Sequence, residues 1–118
     1  MEHLKNVSKF VQIFKADGMV LYNVTVGIDN SIEEEWKKWM IEVHIPDVIA
    51  TGQFMEHKFF KVLSHEEPNS SSFSIQYFAK THENLQVYQA NFAEKLQQAH
   101  QNKFANKFVA FRTVLELV

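Results

Sequence analysis

Val20-Leu21-Tyr22-Asn23-Val24-Thr25-Val26, followed by Ser31-Ile32-Glu33-Glu34-Glu35-Trp36-Lys37-Lys38-Trp39-Met40, is the stretch on which the fold turns. In its first half Val20, Tyr22, Val24 and Val26 alternate with Leu21, Asn23 and Thr25, a period of two rich in β-branched residues, which predicts a half-buried strand. Gly27 and Asp29-Asn30 end it. Ser31 with Glu34 three residues later has the form of a capping box, and Glu33 to Glu35 put negative charge where a helix dipole favours it. A helix therefore starts here. Ile32, Trp36, Trp39, Met40 and Val43 make one apolar stripe, while Lys37, Lys38 and Glu42 face water. Pro46 interrupts this helix and opens a further short turn through Val48 and Ile49, which Thr51-Gly52 closes.

Working outward, residues 54 to 63 mix Phe, Val and Leu with Glu56, His57, Lys58 and Lys61, the composition of an edge strand. Ser64 through Ser72, with Pro68-Asn69 and several serines, reads as an exposed hairpin loop. Phe73 to Ala79 is the next strand. Thr81 then caps a second helix with Leu85, Tyr88, Phe92, Leu96 and Ala99 on one face, a pattern that weakens over Asn102 to Lys107. Phe108 to Leu117 alternates again as the last strand. The order β-α-β-β-α-β is the ferredoxin-like arrangement of an α+β fold, with four antiparallel strands and both helices on one face.

Alternation also predicts the opposite face of that sheet. Leu21, Asn23 and Thr25 look away from the helices, as do Ser74, Gln76 and Phe78 if Phe73, Ile75 and Tyr77 enter the core. Ala110, Arg112 and Val114 join them if Val109, Phe111 and Leu115 point inward. A face half apolar and half polar suits a ligand cavity enclosed by a homodimer, two sheets packed face to face as a dimeric α+β barrel.

Composition narrows the chemistry. The 118 residues and 13.8 kDa match one domain, expected at 19–118 behind an extension of residues 1–18. A net charge of −2 offers no basic footprint, so nucleic acid is not expected as a partner. The absence of cysteine excludes disulfides, thiolate metal sites and a Cys nucleophile. No apolar run reaches the ~18 residues a membrane span needs, which makes a cytoplasmic protein the default expectation. His3, His57, His65, His82 and His100 are scattered without metal-ligand spacing, and Gly18, Gly27 and Gly52 form no phosphate loop; neither metal nor cofactor is implied. Within the extension, Leu4, Val7, Val11 and Phe14 fall at helical spacing beside Lys5, Lys9 and Lys15, the pattern of a short amphipathic helix or of a loosely docked tail. Met19, just before the first strand, is a candidate alternative translation start.

Several runs also carry a family resemblance: Val20 to Val26, Glu35-Trp36-Lys37-Lys38-Trp39-Met40, His44-Ile45-Pro46-Asp47-Val48, Ala50-Thr51-Gly52 with Phe54, Gln76-Tyr77-Phe78, and Phe108-Val109-Ala110-Phe111-Arg112-Thr113. In that order and spacing, from Met19 to the carboxyl terminus, the chain resembles the domain of unknown function 4286 family of small bacterial proteins. The resemblance implies a relation to dimeric α+β barrel proteins, a group that includes cofactor-free monooxygenases, haem-degrading enzymes and small isomerases.

Six residues stand out as a candidate site. His44 lies one turn beyond Met40 at the Ile45-Pro46 break, where a near-neutral imidazole suits a general base, with Asp47 as its possible orienting carboxylate. Arg112, the only arginine, sits mid-strand among aromatic and β-branched neighbours. It either pairs with Glu56 or another acid, the commoner use of an interior arginine, or clamps a ligand carboxylate or enolate. Asn23 on the same face would join Arg112 in stabilising an oxyanion. Trp36, Gln76 and Phe78 would bind substrate, although Trp36 at helical spacing also suits a core position. The enzyme reading is a cofactor-free monooxygenase or isomerase acting on a small aromatic or conjugated carbonyl compound; the alternative is a non-catalytic ligand-sensing or assembly module. Because every strand and both long helices start after Met19, deleting residues 1–18 should leave the fold intact. A thermal melt checks this: a loss above ~2 kcal/mol, the scale of a lost core side chain, would show that Phe10, Val11 or Phe14 docks into the core.

Overall fold

The computed structural model describes residues 18–118. The expected helix of the extension lies outside these residues. Strand β1 (Val20–Asp29) is followed by a 3-10 turn (Asn30–Ile32) and helix α1 (Glu33–Trp39), which continues through a π turn (Met40–His44) into α2 (Ile45–Ile49). Strands β2 (Glu56–Lys61) and β3 (Ser70–Ala79) form the hairpin, then α3 (His82–Asn91), α4 (Ala93–Phe104) and β4 (Phe108–Glu116) complete the chain. The sheet is antiparallel in the order β2-β3-β1-β4, the ferredoxin-like α+β arrangement read from the sequence.

The pairing of Tyr22 with Tyr77 and Val24 with Ile75 fixes the two central strands, and their inward residues Val20, Tyr22, Val26, Phe73, Ile75 and Tyr77 are buried. Trp36, Met40, Ile45 and Val48 cover them from the first helical segment, and Leu85, Tyr88, Ala93 and Phe104 from the last two helices. Burial of side chains this size stabilises by roughly 1.5–3 kcal/mol each, so this layer contact carries the fold.

Local details depart from the sequence expectation in ways that matter for the site. The first helix is not capped by Ser31. Asp29 caps the preceding 3-10 turn instead, its Oδ1 accepting from the Ser31 amide at 2.9 Å and from the Ser31 hydroxyl at 2.6 Å. Pro46 is accommodated inside a continuing helical path: the Ile45 amide donates to the Met40 carbonyl five residues back, and proline then occupies the first turn of α2, where its missing N–H costs least. The extra residue in that wide turn moves the buried stripe from Met40 to Ile45, leaving Val43 41% exposed. Gly52, at φ +79°, closes the segment in the left-handed conformation, with its amide on the Ile49 carbonyl at 3.0 Å.

The second helix is likewise two. Thr81 caps α3 by accepting from the Asn84 amide at 3.1 Å, as expected, but the path breaks at Phe92. After the break the buried positions are Ala93, His100 and Phe104 rather than the Phe92-Leu96-Ala99 face of an unbroken helix. A shift of one residue rotates a helix face by about 100°, which turns His100 inward.

Strand β4 is the clearest correction. Val26 pairs with Ala110, Val24 with Arg112 and Tyr22 with Val114, so Ala110, Arg112 and Val114 lie on the helix side. Val109, Phe111 and Leu115 point the other way and are 75%, 63% and 45% exposed. The strand is apolar on both faces, and a one-residue change of register exchanges them.

Candidate functional site

The helix side of the sheet holds a cavity of about 530 Å³ between β1, β4 and the helices, a volume typical of small-molecule sites. Val24, Val26, Met40, Val48, Ile75 and Phe108 give it apolar walls. His44, His100, Arg112, Tyr22, Tyr88 and Gln97 supply most of its polar groups, and Glu94 stands exposed at its margin.

Each of these groups is positioned by a local feature. The π turn carries His44 to the cavity, where its ring stacks on Trp39 with centroids 5.0 Å apart and planes 25° from parallel. The break at Phe92 brings in His100, whose centroid lies 5.7 Å from that of His44 and 4.2 Å from that of Phe108. Trp36, fully buried, donates from Nε1 to His100 Nε2 at 2.9 Å. Arg112 arrives from β4 beside the Tyr22 hydroxyl.

The electrostatics follow from burial around a single cation. Burial lowers the His44 pKa to about 4, opposed by the nearby Asp47 carboxylate and reinforced by Arg112. His100 is also lowered to about 4, by burial first and then by His44 and Arg112. Both imidazoles are therefore neutral at pH 7. Burial pushes the Tyr77 and Tyr88 hydroxyls far above their ordinary value, and Tyr22 upward against the pull of Arg112, so all three remain protonated donors. Asp47 is exposed; its charge reaches His44, but among the described residues no hydrogen bond joins the two.

Two of the residues singled out from the sequence, His44 and Arg112, thus come together. The others do not. Asn23 and Gln76 lie on the opposite face, in a chain in which Asn23 Nδ2 donates to Thr25 Oγ1 at 2.9 Å, Ser74 Oγ donates to Asn23 Oδ1 at 2.6 Å and Gln76 Nε2 donates to Ser74 Oγ at 3.5 Å. Phe78 faces the same way, in register with Leu21. Trp36 is 0% exposed and supports the site through His100 instead of touching a ligand. The expected bridge from Arg112 to Glu56 is absent: Glu56 is on β2 at the far edge of the sheet, 3.9 Å from Lys58. Among the described residues no carboxylate lies within ion-pair distance of Arg112. Sequence reasoning missed His100 and the tyrosines. The tyrosines looked like plain core, and His100 fell outside the stripe of a helix drawn without a break.

A family model for a domain of unknown function, DUF4286, matches residues 19–118. The chain belongs to that family. No curated protein matches this DUF4286 member in sequence. Solved structures share its fold. A dimeric ferredoxin-like protein from an uncultured marine organism superposes with a TM-score of 0.64 at 8% identity, covering 86% of this chain and 96% of the other. A conserved protein of unknown function from Bacteroides thetaiotaomicron, suggested as an oxidoreductase, gives 0.61 at 14% identity, with 86% and 99% covered. A proposed antibiotic biosynthesis monooxygenase from Bacillus cereus gives 0.58 at 7% identity, with 85% and 93% covered. At these identities the likeness is one of fold. No helix among the described residues is long and apolar enough to cross a membrane.

The two depressed histidines make stability depend on pH. Unfolded, each titrates near 6.5; folded, near 4, so between these values the unfolded chain binds more protons. The stabilisation is complete above pH ~6.5 and is lost as pH falls toward 4. Thermal melts should therefore show a clear fall from pH 7 to pH 4.5, on the order of a few kcal/mol. His100→Gln, which keeps an acceptor for Trp36 Nε1, should flatten that slope, and an unchanged slope would show that His100 does not contribute.

Proposed function

We propose that the DUF4286 chain is a small enzyme whose cavity binds a small aromatic or conjugated carbonyl compound and moves a proton on it without a cofactor. The observation that carries this reading is the placement of His44 and Arg112 on one cavity, with apolar walls from β1, β3 and Phe108 and with tyrosine hydroxyls, carboxamides and His100 among its other polar groups. A neutral His44, whose basicity burial lowers, takes a proton from a carbon that conjugation and Arg112 acidify, and the electron pair left behind spreads onto the carbonyl oxygen. Arg112, with the Tyr22 hydroxyl beside it, stabilises the negative charge that develops there. Return of the proton from His44 to a different carbon completes an isomerisation. In a monooxygenation the carbanion adds to dioxygen instead; the resulting peroxide, once protonated, expels water as a new carbonyl forms. The ferredoxin-like neighbour proposed as a monooxygenase supports this second course.

The opposite face supports a homodimer. Phe60, Phe111 and Leu115 are 49%, 63% and 45% exposed there, around the Asn23-Ser74-Gln76 chain, and a neighbour of the same fold is dimeric. Apolar surface of this kind is covered in most soluble proteins, and two copies placed sheet to sheet would cover it. This leaves the cavity on the helix side of each protomer.

Two measurements test these readings. Arg112 is exposed and unpaired with any carboxylate among the described residues, so Arg112→Met should change the stability of the ligand-free protein by no more than ~0.5 kcal/mol while abolishing the thermal shift from ligands. The screen is of small aromatic acids, quinols and conjugated ketones against the parent protein; strong destabilisation by Arg112→Met together with no shift from any class would overturn the enzyme reading in favour of the assembly module. Light scattering should report twice the 13.8 kDa chain mass, falling to one chain in Phe111→Lys. A persistent monomer at micromolar concentration would sink the sheet-to-sheet dimer.

A further inference from the structure

The two cavity histidines are held in different ways. Indole Nε1–H is a donor only, and a neutral imidazole has one donor and one acceptor nitrogen. Because Trp36 Nε1 donates to His100 Nε2 at 2.9 Å, Nε2 must carry the lone pair and the proton must sit on Nδ1. A second proton on Nε2 would set N–H against N–H in a place where Trp36 is 0% exposed. Among the described residues Nδ1 has no hydrogen-bond partner, and no buried side-chain nitrogen or oxygen is both sealed from solvent and unpaired. The imidazole lines the cavity, so the unpartnered Nδ1–H opens to it. His44 differs. Its ring is stacked on Trp39, and no hydrogen bond among the described residues fixes its tautomer, so either ring nitrogen can carry the proton.

We infer that His100 is the oxygen-recognising residue of the cavity: Trp36 locks it as an Nδ1–H donor, and this N–H, together with the Arg112 guanidinium, receives an oxygen anion conjugated to a flat apolar body, such as an aromatic carboxylate or enolate. This rests on the reading of the cavity as a ligand site. The surrounding chemistry fits one class of ligand. Arg112 is the permanent cation on the cavity wall, the tyrosine hydroxyls are protonated donors, and the lining carboxylate, Glu94, stands out at the solvent margin. Val24, Val26 and Phe108 then receive the apolar body. Trp36 acts as a positioning residue, through His100, without contact with the ligand.

The test uses the full chain, imidazole-nitrogen NMR and two probes of equal shape, benzoate and benzylamine. Without probe, His100 should show its proton on Nδ1; in Trp36→Phe, with the indole donor removed, both tautomers should be populated. Benzoate should move the His100 Nδ1–H signal, and benzylamine, which offers no acceptor and is repelled by Arg112, should not. His100→Phe should weaken benzoate by tenfold or more, about what one hydrogen bond to a charged group contributes. His100→Gln should restore most of the affinity, since its carboxamide accepts from Trp36 on one side and donates on the other. A proton found on Nε2, or a Trp36→Phe chain in which His100 stays purely Nδ1–H, overturns the lock. Benzoate shifting His44 and Arg112 but not His100 overturns the recognition role while leaving the proposed function standing. If no probe or screened compound moves any cavity signal, both inferences fall. These signals are read in the parent protein, so the outcome does not depend on His100→Phe folding.

Discussion

One buried hydrogen bond, from Trp36 Nε1 to His100 Nε2, ties together the two helical arms that roof the sheet. Its partners are 64 residues apart in the chain, and both are buried. An unpaired buried donor or acceptor costs ~1–3 kcal/mol, so neither group is tolerated there without the other. The pairing also explains an otherwise awkward fact, a histidine inside a core of aromatic rings. His100 is surrounded by Trp36, Trp39, Phe104 and Phe108 with its acceptor satisfied and its charge suppressed.

Both helical arms around that bond deviate from regular geometry. On the first arm the π turn at Met40–His44 inserts a residue into the helical count, so Trp36 and Met40 remain on the buried side while Ile45 replaces Val43 and His44 reaches the cavity. On the second, the break at Phe92 moves the buried face by one position and turns His100 inward. π turns recur at functional sites because they re-aim a side chain without ending the helix. Here the irregularities on both arms direct imidazoles at one space.

The sheet separates two roles by face. Its helix side carries the cavity, with Arg112 as cation and the tyrosine hydroxyls as donors. Its opposite side carries a polar centre of Asn23, Thr25, Ser74 and Gln76, bonded among themselves, bordered by exposed Phe60, Phe111 and Leu115. Asn23 and Gln76 bond to their neighbours on a face the cavity does not touch. As an edge strand, β4 contributes to both: Arg112 to one side and Phe111 to the other.

The amino-acid sequence by itself determined the strand and helix order, the antiparallel ferredoxin-like sheet and the inward faces of the central strands. Those features depend on local periodicity, which Val20 to Val26 and Phe73 to Tyr77 both carry. It also singled out His44 and Arg112, because a histidine at a proline break and a lone arginine in an apolar strand are locally anomalous. Only the tertiary structure decided which side of β4 faces the helices, since both alternating sets of Phe108 to Leu117 carry apolar residues and pairing with β1 turns the more apolar set, Val109, Phe111, Leu115 and Leu117, away from the helices. It alone decided that Asn23 and Arg112 part company, that Asp29 rather than Ser31 caps the first turn, and that His100 is a core residue. Each of these depends on a contact between segments distant in sequence, or on a one-residue slip in a helix that only such a contact stabilises, and no local pattern encodes either.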